Sequence, residues 1–262
     1  MKRIIIQIYE IQTPSEAESM LELGVDHIGS VLTSEADWKK SNIKDTVALV
    51  NSGSGRSSLI PLFSEPNSVF SVLDYYGPHI VHFCEALTSE TPENGHLDDL
   101  IRLQEDVKKK FSEVKIMRSI PITVTGAGSV IDSMSLARKF EPVTDLFLTD
   151  TLLVGGGDPS SGDQPVQGYV GITGKTCNWD IAAALVQSSR IPVILAGGIS
   201  PDNVSEGIMK VQPFGVDSCT QTNAADHTGN PIRFKKDREK VKQLVEAVRV
   251  AETMIQDYTR QG

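Results

Sequence analysis

The chain has 262 residues, 34 of them acidic and 25 basic, for a formal net charge of -9. That balance gives no support to general binding of nucleic acid or of an anionic membrane surface, so an anionic ligand must be held locally. Its three cysteines, Cys84, Cys177 and Cys219, lack CxxC or His-rich spacing and indicate neither a disulfide framework nor a structural zinc site.

The opening "MKRIIIQIYEIQTPSEAE" has one short apolar run followed at once by Glu10 and Pro14, which suits neither a signal peptide nor a spanning helix. A cytoplasmic location is the resulting expectation. Apolar strand-like runs then recur at residues 3–8, 27–32, 58–63, 80–84, 114–117, 143–149, 193–196 and 215–218. Between them lie helix-like patterns. These include "TPSEAESMLELG", with Thr13 as cap and Gly24 as stop, "LDDLIRLQEDVKKKF", "NWDIAAALVQSS" and "DREKVKQLVEAVRVAETMIQDY". Alternating strands and helices mean parallel βαβ units. Eight of them, in a chain near the usual 250 or so residues, fit one (β/α)8 barrel domain over residues 1–262, with its site at the carboxyl ends of the strands. A doubly wound open sheet is the alternative.

In "IPVILAGGISPDNV", residues 191–204, a wholly apolar strand runs into Gly197 and Gly198, then into Ser200 as a helix cap and Pro201 in a first turn. Bare glycine amides before a helix N-terminus suit a phosphate; the same residues also suit an ordinary strand-to-helix turn. Two loops stand out by composition, "NSGSGRSS" (residues 51–58) and the glycine-rich stretch of about 152–176. The second follows the sixth strand, where a mobile cover over a site would lie. Its tail "GITGKT" is not a P-loop, because the first required glycine falls at Tyr169 and no strand directly precedes it.

The stretch from Phe147 to Asp217 resembles phosphoribosylanthranilate isomerase, the (β/α)8 enzyme family of tryptophan biosynthesis, through "LTDT", "GITGKTCNW", "ILAGGISPDNV" and "VQPFGVD" in that order. The opening "IIIQIYEIQTPSEAESMLELGVDHIGSVL" follows the family's first strand, helix and second strand with its signature residues altered. The resemblance implies a barrel that binds a phosphorylated sugar through backbone amides, at the positions matching Gly197, Gly198, Cys219 and Thr220. "SCTQT" stands where the family has a Ser-Ser-Gly turn, so Gln221 replaces a glycine. The family reaction is an Amadori rearrangement, in which an acid protonates the sugar ring oxygen and a base removes a carbon-bound proton. The acid maps to Asp150.

The family's cysteine base maps to Tyr9, a phenol with an ordinary pKa of about 10. Glu10 and Glu85 stand where the family has glycines, and either could serve as base or be a solvated loop residue. The arginine that pairs with the anthranilate carboxylate is also missing: "VLTSEADWKK" offers Glu35 and Asp37, with Lys39 and Lys40 further on. Arg118 matches a basic family position and could face a sugar hydroxyl, the phosphate or Asp150. The sequence therefore reads as an aldose-ketose isomerase of a phosphorylated sugar with an altered substrate. Its catalytic candidates are Asp150, Tyr9, Glu10 and Glu85, its binding candidates Gly197, Gly198, Cys219, Thr220 and Arg118, and it calls for no cofactor. Alternatives are a metal-assisted lyase or aldolase using Glu10, His82, Glu85 and Asp150, and a binding protein without chemistry.

Overall fold

The computed structural model describes residues 3–88, 96–126, 131–153 and 165–261. In chain order the elements are β1 (Ile5–Ile8), α1 (Pro14–Glu22), β2 (His27–Leu32), α2 (Ser41–Ser52), β3 (Arg56–Pro61), α3 (Pro66–Tyr76), β4 (Ile80–Phe83), α4 (His96–Lys110), β5 (Lys115–Thr123), α5 (Ser133–Phe140), β6 (Leu146–Leu152), α6 (Trp179–Ser188), β7 (Val193–Leu195), α7 (Val204–Val211), β8 (Gly215–Ser218), β9 (Asn223–Ala225), β10 (Pro231–Lys236) and α8 (Arg238–Gln261). Strands β1 to β8 pair in order, and β1 also pairs in parallel with β8 over Ile5↔Gly215 to Ile8↔Ser218, closing the expected (β/α)8 barrel. Among the described residues no helix is long and apolar enough to cross a membrane.

Local chemistry sets the element ends. Thr13 accepts the Glu16 N–H at the start of α1, with Pro14 in the first turn, and the Asn178 side-chain Oδ1 accepts the Asp180 and Ile181 N–H groups at the start of α6. Of the Asn51 to Ser58 stretch only residues 53–55 lie between elements, since α2 continues to Ser52 and β3 begins at Arg56. That turn precedes a strand, so it lies at the amino end of the barrel, away from the site. Strand β5 runs six residues beyond the expected end at Met117, in register with β6 from Met117↔Leu146 to Thr123↔Leu152. The β9–β10 hairpin, inserted before α8, is a further addition. Its turn closes with Asp226 N–H on the Asn230 carbonyl at 2.9 Å and with Gly229 at φ 88°.

Strand alternation divides the core into two layers. Outward residues such as Ile6 and Ile8 pack on Ala17 and Met20 of α1 and on Leu244 and Val248 of α8, all buried. Each such side chain contributes roughly 1.5–3 kcal/mol on leaving water. Inward residues Tyr9, Val31, Ile60, Ile80, Met117, Leu148 and Ile194 fill the barrel. Polar groups share that interior, and they define the site above them.

Candidate active site at the carboxyl ends of the strands

Beyond β7 the chain turns through Gly197 and Gly198, at φ 87° and 64°, in the left-handed region glycine favours. Glycine is required for space as well. A Cβ on Gly197 would lie 2.4 Å from Thr151 Oγ1, and one on Gly198 would lie 2.5 Å from the Lys175–Thr176 backbone. The helix does not start at Ser200: α7 begins at Val204 with Asn203 as its cap residue. The Asn203 side chain reaches back instead, donating to the Gly198 carbonyl and accepting the Ser200 N–H, each at 2.9 Å. This bracing displaces the helix start by one turn and fixes the glycine turn. Among the described residues the Gly198 and Ile199 N–H groups have no protein acceptor.

Across from this turn, β8 is followed by Cys219, Thr220 and Gln221. Together with Thr173, Gly174, Gly197, Gly198, Asp150 and Asp217 they enclose a cleft of about 320 Å³. Gln221 does not plug it, because its amide donates to the Gly174 carbonyl at 2.7 Å and ties the β8 turn to the loop ahead of α6. All four proposed phosphate positions, Gly197, Gly198, Cys219 and Thr220, thus meet at one cleft. The far half of the glycine-rich stretch forms walls. Tyr169 bridges Glu85, Val170 N–H bonds the Cys84 carbonyl at 2.9 Å, and Ile172 and Thr173 line the clefts. The cover expected of this loop falls partly on residues 154–164, outside the described residues.

A second cleft of about 510 Å³ adjoins the first and shares Asp150, Ile172, Asp217 and Cys219 with it. Asp150, at the end of β6, accepts the Thr151 N–H at 2.8 Å, and Gly171 packs so closely that a Cβ there would lie 2.1 Å from its carboxylate. Burial pushes the Asp150 pKa up to about 7, against the bond from Thr151. Asp217 sits on the neighbouring wall and accepts from Gln7 Nε2 at 3.1 Å. His27 Nδ1, which bonds the Gln7 side-chain oxygen at 3.2 Å, orients that amide. Burial, opposed by the Gln7 bond and reinforced by the Asp150 charge, lifts Asp217 to about 8. Sequence reasoning quoted Asp217 within a motif and missed it as a site residue; a lone carboxylate ending an apolar strand was the available signal.

The other candidates lie elsewhere or are already engaged. The Tyr9 hydroxyl sits between Ser58 Oγ at 2.5 Å and His82 Nδ1 at 2.7 Å, and His82 Nε2 bonds Ser119 Oγ at 2.8 Å. Burial raises Tyr9 well above the usual phenol range and lowers His82 to about 3, so both are neutral. Gly29 makes room for the Tyr9 ring, since a Cβ there would lie 2.1 Å from it. Glu10, at φ 64°, accepts from Arg233 Nε at 2.7 Å, Asn223 Nδ2 at 3.2 Å and the Phe234 N–H at 3.2 Å. Although burial acts to raise its pKa, Arg233 and Lys236 hold it below the usual carboxylate range. The hairpin that binds it was not anticipated.

Arg118 and Glu85 are corrections to the expected site. Arg118 falls on the outward face of β5, wholly buried. Its Nε donates to Gln104 at 2.7 Å, its guanidinium lies over Phe83 and Phe140, and it pairs with Glu85. Glu85 also accepts from Ser64 and is 5% exposed. Neither lines the clefts, so the pair holds the barrel to its helices instead of meeting a ligand. Among the described residues no group of three or more His, Cys, Asp or Glu is placed to hold a metal ion, and Glu10, His82 and Glu85 are each bound to other protein groups.

Comparison with known proteins agrees with this architecture. Residues 99–247 match the family model described as N-(5'phosphoribosyl)anthranilate (PRA) isomerase. An N-(5'-phosphoribosyl)anthranilate isomerase of Haloferax volcanii is 34% identical over 53% of this chain, a match that spans 55% of the relative's length. One from Methanosarcina acetivorans is 24% identical over 93% of this chain and 92% of its own. Among solved structures, phosphoribosyl anthranilate isomerase from Thermotoga maritima superposes with a TM-score of 0.66 at 18% identity, covering 94% of this chain and 99% of that one. At 17% identity and a TM-score of 0.64, a second such structure holds reduced 1-(o-carboxyphenylamino)-1-deoxyribulose 5-phosphate and is covered over 99% of its chain, with 94% of this chain. With more than half its length under the family model, the chain belongs to the phosphoribosylanthranilate isomerase family.

Proposed function

We propose that this chain is an aldose-ketose isomerase acting on an N-substituted phosphoribosylamine, with the phosphate in the glycine-lined cleft and the substituent in the adjoining one. The observation that carries the reading is the position of Asp150, bordering both clefts where a sugar bridging them would lie. Protonated Asp150 gives its proton to the ring oxygen as the bond from that oxygen to C1 breaks, leaving a C1=N iminium. A base then takes the C2 proton as the electron pair forms the enaminol, and return of a proton at C1 with loss of the O2 proton to the Asp150 carboxylate gives the 2-ketose and restores the acid. No electron acceptor is needed, because C1 is reduced as C2 is oxidised.

The base best supported is Asp217. Tyr9 is held neutral, Glu10 is bound by Arg233, and Glu85 faces away, whereas Asp217 borders both clefts with Asp150. Burial lifts the two carboxyls to about 7 and 8, the Asp150 charge adding to the rise at Asp217, so between those values the coupled pair carries one proton and offers one donor and one acceptor. The test is deuterium uptake from D2O at C1 of N-phenyl-1-amino-1-deoxyribulose 5-phosphate. Asp150→Asn and Asp217→Asn should each slow uptake by a factor of about 10² or more while the ketose phosphate still binds. Uptake undiminished in Asp150→Asn removes the reading. Binding without uptake in the unsubstituted protein marks a phosphosugar-binding protein.

A further inference from the structure

The cleft beside Asp150 has a composition that bears on what the sugar carries. Val31, Ile60, Leu62, Leu148, Val170 and Ile172 form its aliphatic part, and its carboxyl groups are Glu10, Asp150 and Asp217. Among the described residues no lysine or arginine lines either cleft. The sequence of residues 89–95, 127–130 and 154–164, outside the described residues, contains no lysine or arginine.

Several cations at this end of the barrel are held by other groups, while Lys175, next to Thr173 and Gly174 of the first cleft, is exposed and lines neither cleft. Arg233 grips Glu10 through Nε at 2.7 Å and Nη2 at 2.6 Å. The Lys236 ammonium bonds the Cys219 carbonyl at 2.9 Å and the Asn223 side chain. In the stretch after β2, Lys39 lies over the Trp38 and Tyr75 rings at 5.2 and 5.7 Å, and Lys40 pairs with Asp37. The polar groups at the cleft floor, Tyr9 and His82, are bonded to Ser58, Ser119 and each other.

Resting on the isomerase reading above, we propose that this cleft selects phosphosugars whose nitrogen carries an uncharged, apolar substituent, and that it rejects an ionised carboxylate on that substituent. A carboxylate entering the cleft loses its hydration and gains no cation, while the ionised Glu10 and whichever of Asp150 and Asp217 is deprotonated line the same cleft. Two negative charges about 5 Å apart at an effective dielectric of about 20 repel by an amount equivalent to a factor of about 100 or more in affinity. An unsubstituted phenyl ring meets none of these penalties and buries against the aliphatic wall. The altered residues then form one pattern: the loss of the carboxylate-binding arginine is matched by a cleft that needs none.

The experiment compares three probes by titration calorimetry on the full chain: reduced N-phenyl-1-amino-1-deoxyribulose 5-phosphate, its o-carboxyphenyl counterpart, and ribulose 5-phosphate. The expected order is phenyl tightest, with the carboxyphenyl compound about 100-fold weaker and no better than ribulose 5-phosphate. Equal or tighter binding of the carboxyphenyl compound overturns the substituent proposal while leaving the phosphosugar reading in place. No binding of ribulose 5-phosphate or of either aryl compound overturns both. As a second arm, Leu62→Arg, at a half-buried position on the cleft wall, should raise carboxyphenyl affinity about tenfold relative to phenyl. An unchanged ratio in a variant that retains ribulose 5-phosphate affinity counts against the proposal.

Discussion

Replacing Arg118 by methionine separates a ligand-binding arginine from a structural one. In the fold its guanidinium is wholly buried, pairs with Glu85, bonds Gln104 at 2.7 Å and lies 5.2 and 4.8 Å from the Phe83 and Phe140 rings. Methionine keeps much of the packing against those rings but leaves the Glu85 carboxylate buried with only Ser64 as side-chain partner. Breaking a buried pair in this way costs about 3–5 kcal/mol. Arg118→Met/Glu85→Leu should recover most of that, since the orphaned charge is gone. Urea unfolding midpoints of the four proteins in the cycle give the coupling directly. The pH profile supplies a second sign. Although burial acts to raise Glu85, Arg118 and Ser64 hold its pKa below the ordinary value. Its contribution is therefore present above its unfolded pKa and lost as pH falls through the lower folded value. A single variant destabilised by less than about 1 kcal/mol that has lost phosphosugar affinity refutes this reasoning and returns Arg118 to the ligand.

Tyr9→Phe should cost about 1–3 kcal/mol, by stranding Ser58 and His82, while deuterium uptake stays within a few-fold; uptake falling a hundredfold would make the phenol a participant. Gly198→Ala forces a φ of 64° on a side chain whose Cβ meets the Lys175–Thr176 backbone at 2.5 Å, so inorganic phosphate affinity should fall by tenfold or more along with thermal stability, and unchanged calorimetry would show that the turn holds no anion. Asp150 and Asp217 have folded pKa values raised to about 7 and 8, so their favourable contribution is full below their unfolded pKa values and lost as pH rises to 8. Urea midpoints should decline across that window, and less steeply in Asp217→Asn.

The barrel was legible because a strand covered on both sides reads as an unbroken apolar run, as in Val193–Leu195, with helix starts marked by Thr13 and Asn178. Strand β5 was cut short because Arg118, Ser119 and Pro121 interrupt that pattern. Its polar residues are satisfied in two layers, Arg118 among the helices and Ser119 on His82 inside the barrel. The same alternation explains why a strand-end arginine that matched a family position faces away from the clefts. The glycine turn was visible from composition, whereas its bracing by Asn203 depends on a side chain folding back over five residues. Glu10 could not be read correctly without Arg233, which is 223 positions away in sequence and arrives on an unforeseen hairpin. Asp217 and its support from Gln7 and His27 join three strands brought together only by barrel closure.

The crystal structure of the complex with ribulose 5-phosphate tests the central claim most directly. The account expects the phosphate within about 3 Å of the Gly198 and Thr220 N–H groups, and the C1–C2 bond of the sugar between the Asp150 and Asp217 carboxyls. A phosphate bound elsewhere, or a sugar chain that leaves the glycine cleft without passing Asp150, would contradict it.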